Sequence, residues 1–232
     1  MVAMPENQSR STRRRPATRK GRPTLTRELI AERALELAGR EGFPSVTMRR
    51  LAEELGVTVR ALYNYVDDRQ EVVELATQAL MAQWHLPELS AERWEESLRA
   101  YCGQMRELYR RHPRALLVGL DESIRPMAVP ENRLRNTDAL LGLLRGVGLT
   151  PLDAFLVHTE LALKLFAFSL LIDHVADADR VAPVPQEWLD AQPEIHVPHL
   201  VEVMEADRPT PDELFDHIVG TLVLSVRARL PR

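Results

Sequence analysis

The sequence predicts an all-α protein: an N-terminal three-helix unit of the helix-turn-helix kind, followed by a larger helical body. Three observations carry this. Aromatic residues are only 5% of the 232, whereas Leu and Ala abound, a composition that favours helices over a β-sandwich. Apolar residues recur at i, i+3 or i+4, and i+7 along most of the chain. The periodic stretches are punctuated by Thr and Asp at candidate N-caps and by Gly at candidate C-caps. Hydrophobic residues make up 45% and charged residues 28%, the balance of a globular protein with a real core.

The organisation reads as a basic arm over 1–23, a compact unit over 24–70 and a body over 71–232. Seven positive charges (Arg10, Arg13, Arg14, Arg15, Arg19, Lys20 and Arg22) stand with no acid between Glu6 and Glu28. Without them the chain keeps 23 basic against 34 acidic residues, a balance of −11. A basic arm on an acidic body points to a polyanion at one end. "RSTRRRPATRKGRP" is too polar to fold alone, so the arm is expected to be disordered, either tracking phosphates or reaching into a minor groove.

The first helix is expected over 26–40, with Ile30, Ala34, Leu37 and Ala38 on one face and Gly42 ending it. Thr47 caps a second, "MRRLAEEL", with Leu51, Ala52 and Leu55 inward, and Gly56 turns the chain. Thr58 caps a third, "VRALYNYV". Asp68 with Glu71 forms a capping box for a fourth, continuing through "EVVELATQALMAQW". Two short helices joined by about four residues that include a glycine have the spacing of a helix-turn-helix. Val59 and Leu62 face inward, leaving Thr58, Arg60, Ala61, Tyr63, Asn64 and Tyr65 to be placed. Such residues suit phosphates and base edges in a major groove, though spacing alone also fits an ordinary solvated face.

At these residues the chain resembles the tetracycline-repressor (TetR) family of transcriptional regulators. "ALELAGREGFPSVTMRRLAEELGVTVRALYNYVDDRQEVVELA" carries Gly42, Thr47, Arg49, Leu51, Ala52, Gly56, Leu62, Tyr63 and Arg69 at the family's marked positions. The resemblance implies that Arg49 and the residues around Thr58–Tyr65 face DNA and that Arg69 contacts phosphate. The implied DNA-binding set is Thr47, Arg49, Thr58, Val59, Arg60, Ala61, Tyr63, Asn64, Tyr65 and Arg69. Arg60 and Asn64 are its long-reach base readers, favouring guanine and adenine. Val59 and Ala61 can touch only apolar groups such as a thymine methyl.

The body, from about 85, resembles the regulatory domain of the tetracycline repressors in helix layout, in Trp94 and in "GVGLTPLDAF". This implies an all-α ligand-binding and dimerisation domain, hence a homodimer on a palindromic double-stranded operator and a small-molecule effector. "ERWEESLRAYCGQMRELYRR", "LTPLDAFLVHTELALKLFAFSLLIDHV" and "TPDELFDHIVGTLVLSVRARL" read as helices. The last two are apolar on more than one face, as a four-helix dimer interface requires, unless a large monomer core covers them. Between them, "DADRVAPVPQEWLDAQPEIHVP" reads as a long loop. Candidate pocket residues are Trp84, Tyr109, His112, Phe166 and Phe168, each of which could instead be plain core, and Lys164, which could instead snorkel to the surface. Lys164 could pair with Glu160 at i−4 or face an acidic ligand.

No metal, cofactor or catalytic site is expected. His196 and His199 flank Pro198 in a loop without a third ligand nearby, and His112, His158, His174 and His217 are scattered. Val118 falls where the tetracycline repressors place a metal-binding histidine, which argues against tetracycline–magnesium as the ligand. Cys102 reads as a small buried residue. The best membrane candidate, "LALKLFAFSLLI" at 161–172, is short of about 20 residues and contains Lys164. With no secretory h-region the chain is expected to be cytoplasmic, with no membrane partner. Three functions remain at this point: a ligand-released repressor, an effector-independent architectural DNA binder, and an enzyme with an appended DNA-binding domain.

Overall fold

The computed structural model describes residues 18–19, 22–174, 186–192 and 194–231. Most of the basic arm therefore lies outside the described residues, and so does the question of its order. Of the arm, the backbone of Thr18–Arg19 and Arg22–Pro23 forms a two-rung antiparallel ladder, Thr18 opposite Pro23 and Arg19 opposite Arg22. Everything else regular is helical.

Helix α1 (Arg27–Glu41) starts where the Thr26 side chain accepts the Leu29 amide at 3.1 Å. It ends at Gly42, whose φ of 88° is a conformation that side-chain-bearing residues resist. Helix α2 (Met48–Leu55) is capped by Thr47 and closed by Gly56 in the left-handed region, φ 64° and ψ 36°. Helix α3 is shorter than "VRALYNYV" predicts: its α-helical part is Val59–Leu62, and Tyr63–Tyr65 continue as a tight turn. There the Asn64 and Tyr65 amides donate three residues back, to Ala61 and Leu62, and so tighten the last turn.

Helix α4 (Arg69–Ala82) packs lengthwise on α1. Asp68 caps it as expected, but the box differs, because the Glu71 carboxylate takes the Asp67 amide at 2.6 Å and the Arg27 guanidinium. Val72, Val73, Ala76 and Leu80 on α4 share one buried cluster with Ile30, Ala34 and Leu37 on α1 and with Leu98, Tyr101 and Cys102 further on. The boundary drawn at residue 70 thus falls at the start of a helix that serves both units.

The body continues with α5 (Trp94–Arg111), the one-turn α6 (Val118–Asp121), α7 (Glu131–Gly146) and α8 (Pro151–Phe168). Helix α8 runs on as a π-helix over Ser169–Asp173. The stretch read as one long loop contains a short helix, α9 (Gln186–Asp190), and is followed by α10 (Pro198–Glu205). The chain closes with α11 (Pro211–Arg227), whose Thr210–Glu213 capping box is complete. Proline in the first turn of α8 and of α11 costs nothing, since those amides have no helical acceptor.

One expectation is corrected by α8. With its π extension the helix runs unbroken over Pro151–Asp173, 23 residues, long and apolar enough by length and composition to cross a membrane. Its inner face, Ala154, Val157, Leu161, Leu165 and Phe168, is packed in the core. Its charged residues all have partners: Asp153 with Arg229, Glu160 with Lys164, and Asp173 with Arg106.

The last pair is a central brace. Arg106 on α5 is held between the rings of Phe168 and Phe215, 5.0 and 4.5 Å from their centroids. It donates two bonds of 2.8 Å to Asp173 at the end of the π-helix and pairs with Asp212 in the first turn of α11 at 2.9 Å. Three helices meet at one guanidinium. Because Arg106 and Asp173 are both buried, removing one partner strands the other's charge. Asp173→Ala is therefore expected to lower stability by about 3–5 kcal/mol, read by urea unfolding. Asp212→Ala, at the exposed partner, is expected to cost under about 1 kcal/mol.

Candidate nucleic-acid interface and ligand pocket

The outer surface of α2 and α3 presents Thr47, Arg49, Thr58, Arg60, Tyr63 and Asn64 to solvent. Both cap hydroxyls accept backbone amides, Thr47 from Arg50 and Thr58 from Ala61, which leaves each hydroxyl proton free to donate to a phosphate. The Arg49 side chain is 88% exposed, with only a solvent-screened bond to Glu53 at 3.2 Å. Tyr63 is 53% exposed, unusual for a tyrosine on a helix packed against a core. Val59, Ala61 and Tyr65 are half-buried at the edge of this surface, and Val59 and Tyr65 pack against the core. These nine residues of the expected set lie together along one pair of helices.

Arg69 does not join them. Its Nε donates to the Val46 carbonyl at 2.7 Å and its Nη2 to the Phe43 carbonyl at 2.8 Å. Both terminal nitrogens also reach Glu122, at 2.9 and 2.5 Å. The Glu122 hydrogen bonds raise the arginine's pKa further. The planar fork of Arg69, to which the resemblance gives a phosphate contact, is here occupied by one carboxylate and two carbonyls of the same chain.

Glu122 belongs to a strap, residues 118–125, that runs from α6 across the start of α4. Two more bonds fasten it. Gln70 donates to the Ser123 carbonyl at 2.6 Å, and Arg125 donates to both oxygens of the buried Glu74 at 2.6 and 2.7 Å. Those Arg125 bonds hold the Glu74 carboxyl below its ordinary range. A depressed carboxylate contributes stability that is fully present above the ordinary carboxylate range and is lost as pH falls below that range through the lowered folded value.

The other face of the strap borders a cavity of about 300 Å³ inside the body. Val118 and Ile124 of the strap line it, with Thr77 and Met81 of α4, Trp84 just beyond its end, Tyr101, Met105 and Tyr109 of α5, Arg133 of α7, and His158 and Phe166 of α8. Of the expected pocket residues, Trp84, Tyr109 and Phe166 are here and three are not. His112 ends α5 away from the cavity, its ring bonded to Gln83 at 3.0 Å and packed on Gly39. Burial keeps that ring's pKa low. Lys164 points at α11, bonded to Glu160 at 2.7 Å and to Thr221 at 2.8 Å. Phe168 flanks Arg106. Arg133 and His158, also in the lining, were not among the expected pocket residues, because α7 carries no motif and the histidine has no sequence partner.

His196 and His199 are exposed, and no group of three metal-ligating side chains occurs among the described residues. Cys102 is fully buried, and burial pushes its thiol up to about 12, far from a nucleophile's range.

Two family models match the chain, together spanning most of the described fold. Residues 30–76 match the tetR family of bacterial regulatory proteins, and residues 86–210 match the tetracyclin repressor-like C-terminal domain. The chain belongs to the tetR family. Among its relatives are the HTH-type transcriptional repressor DrrR1 of Streptomyces coeruleorubidus, 35% identical over 140 residues, and an HTH-type transcriptional regulator of Saccharopolyspora erythraea, 30% identical over 149. These matches take in 60% and 64% of this chain but only 50% and 57% of the relatives' own lengths. In fold, this tetR-family chain is similar to Streptomyces coelicolor ActR in complex with actinorhodin, with a TM-score of 0.68 at 23% identity. That likeness covers 88% of this chain and 98% of ActR.

The family match leaves the two roles of the helix-turn-helix surface separable by mutation. Arg69→Ala is expected to cost about 1–3 kcal/mol of stability, since it strips partners from Glu122 and two carbonyls. Arg60→Ala and Asn64→Ala, both at exposed positions, are expected to stay within about 0.5 kcal/mol of the parent. Thermal or urea unfolding of the three variants checks this, and an Arg69→Ala protein as stable as the parent would return Arg69 to the phosphate-binding set.

Proposed function

We propose that the protein is a cytoplasmic, homodimeric repressor that binds a palindromic DNA operator and is released by a small molecule held in the cavity. The single observation that carries this reading is the double-sided strap: Val118 and Ile124 line the cavity, while Glu122, Ser123 and Arg125 grip the first turns of α4. Helix α4 packs lengthwise on α1 and so sets the attitude of the whole helix-turn-helix. A ligand that prefers one strap position shifts the population of one α4 position. A swing from 1:99 to 99:1 requires about 5.5 kcal/mol of differential binding. The names of the relatives, a repressor and a regulator caught with a bound small molecule, support the same reading.

Dimerisation follows from unpartnered apolar surface. Leu152, Phe155, Leu156 and Leu163 on α8 are 43–65% exposed, as is Leu224 on the adjacent α11 at 60%. Two such helices from each of two copies make a four-helix interface. The dimer would set two α3 helices in successive major grooves, about 34–36 Å apart. In this reading Arg49, Arg60, Tyr63 and Asn64 make the contacts, and the basic arm adds phosphate neutralisation and salt dependence. An effector-independent architectural role is the second reading. The cavity behind the strap weighs against it, since a purely architectural binder has no use for one.

Leu224→Asp tests the assembly on which the function rests. The variant is expected to sediment as a folded monomer and to lose binding to an operator selected from random DNA. Val223, one step round the helix, is only 3% exposed and packs in the monomer core, so Val223→Asp is expected to unfold the chain instead. A monomeric parent protein, or a selected site without a palindrome, would contradict the proposal.

A further inference from the structure

The cavity's chemistry names the class of its ligand, an inference that rests on the regulatory reading above only for the cavity's use. Its wall holds four aromatic rings (Trp84, Tyr101, Tyr109 and Phe166) together with Met81 and Met105. Among the described residues no carboxylate lines it. The charged side chain in the wall is Arg133, exposed at the residue level and therefore at the cavity's opening. Arg69, Arg106, Arg125 and Arg135 all have carboxylate partners, whereas Arg133 has none among the described residues.

Its charge nevertheless reaches into the cavity. Burial raises the Tyr109 phenol's pKa and lowers that of the His158 imidazole, and the Arg133 charge opposes the first shift and adds to the second. A second unmet group stands in the same wall: the Trp84 indole N–H is buried with no acceptor among the described residues. A buried donor without a partner is costly and marks a place where an acceptor oxygen belongs.

We infer that the ligand is an aromatic anion of two or three rings, its carboxylate or ionised phenol against Arg133 and a ring-borne oxygen accepting from Trp84. A volume of about 300 Å³ stands at the low end of ligand pockets, which limits the ring count. Flat rings between Trp84, Tyr109 and Phe166 gain from offset and edge-on aromatic contacts, and the two methionine sulfurs adapt to them. A fatty acid would satisfy Arg133 but would use neither the flat walls nor the indole N–H.

Calorimetry on the full-length protein with four probes decides this: 9-oxofluorene-2-carboxylate, its neutral carboxamide, fluorene-2-carboxylate and decanoate. The oxo acid is expected to bind at least tenfold tighter than the carboxamide, and Arg133→Gln to erase that difference by weakening the acid far more than the carboxamide. Trp84→Phe, which keeps a ring in place, is expected to erase the advantage of the oxo acid over fluorene-2-carboxylate. Equal affinity for acid and amide, a difference that survives Arg133→Gln, tighter decanoate binding, or no binding by any fluorene acid would overturn the inference. An oxo acid no better than fluorene-2-carboxylate in the parent would overturn its Trp84 half. Operator binding, followed in parallel, separates the two claims. Arg133-dependent binding of the oxo acid that leaves the operator complex intact would sustain the ligand class and count against the regulatory reading.

Discussion

The grip of Arg69 on Glu122 is the interaction on which the remaining structure turns. One planar guanidinium, at the first residue of α4, ties three things together: the turn before α2 through the Phe43 and Val46 carbonyls, the strap through Glu122, and α4 itself. An ammonium group could not satisfy that many acceptors in one plane. Because α4 shares its buried face with both α1 and α5, displacement of the strap cannot be absorbed locally. Packed interiors move between discrete arrangements rather than deforming smoothly. The strap is therefore where a modest change in the cavity would become a rotation of the helix-turn-helix.

The body resists the same displacement elsewhere. The Arg106 brace pins α5, the π-helical end of α8 and the start of α11 to one another. The Glu160–Lys164–Thr221 bonds and the Ser225–Glu160 bond lock α8 to α11. The exposed leucines and Phe155 thus sit on a rigid pair of helices, as a dimer surface requires, and the freedom to move is left to the strap and α4.

Much of this was legible in the sequence because it is local. Thr26, Thr47, Thr58, Asp68, Thr150 and Thr210 all cap helices, and each signals its role within three residues. Gly42 and Gly56 mark turns that only a residue without a side chain takes easily. The exposure of Arg60, Tyr63 and Asn64 follows from the short inward face of α3. What was not legible depends on pairings more than fifty residues apart. Arg69 looks like a free phosphate donor until Glu122 is found opposite it, 53 residues on. Arg106 carries no mark of Asp173 in its neighbourhood, 67 residues away. Lys164 shows the opposite case: its partner Glu160 lies one helical turn back and was in view from the start. The cavity residues Arg133 and His158 sit on helices whose periodicity says only that one face is buried, and a void between faces has no sequence signature.

The central claim is that the cavity and the DNA-reading surface communicate through the strap. Filling the cavity from the far wall tests it most directly. Ala162 lines the cavity on α8, and Ala162→Phe adds a ring there without removing any of the side chains that bond the strap to α4. The expected result is a folded dimer whose affinity for the selected operator falls at least tenfold, with faster amide exchange along 118–125 and 69–75. A folded dimer that fills its cavity and still binds the operator with the parent's affinity would contradict it.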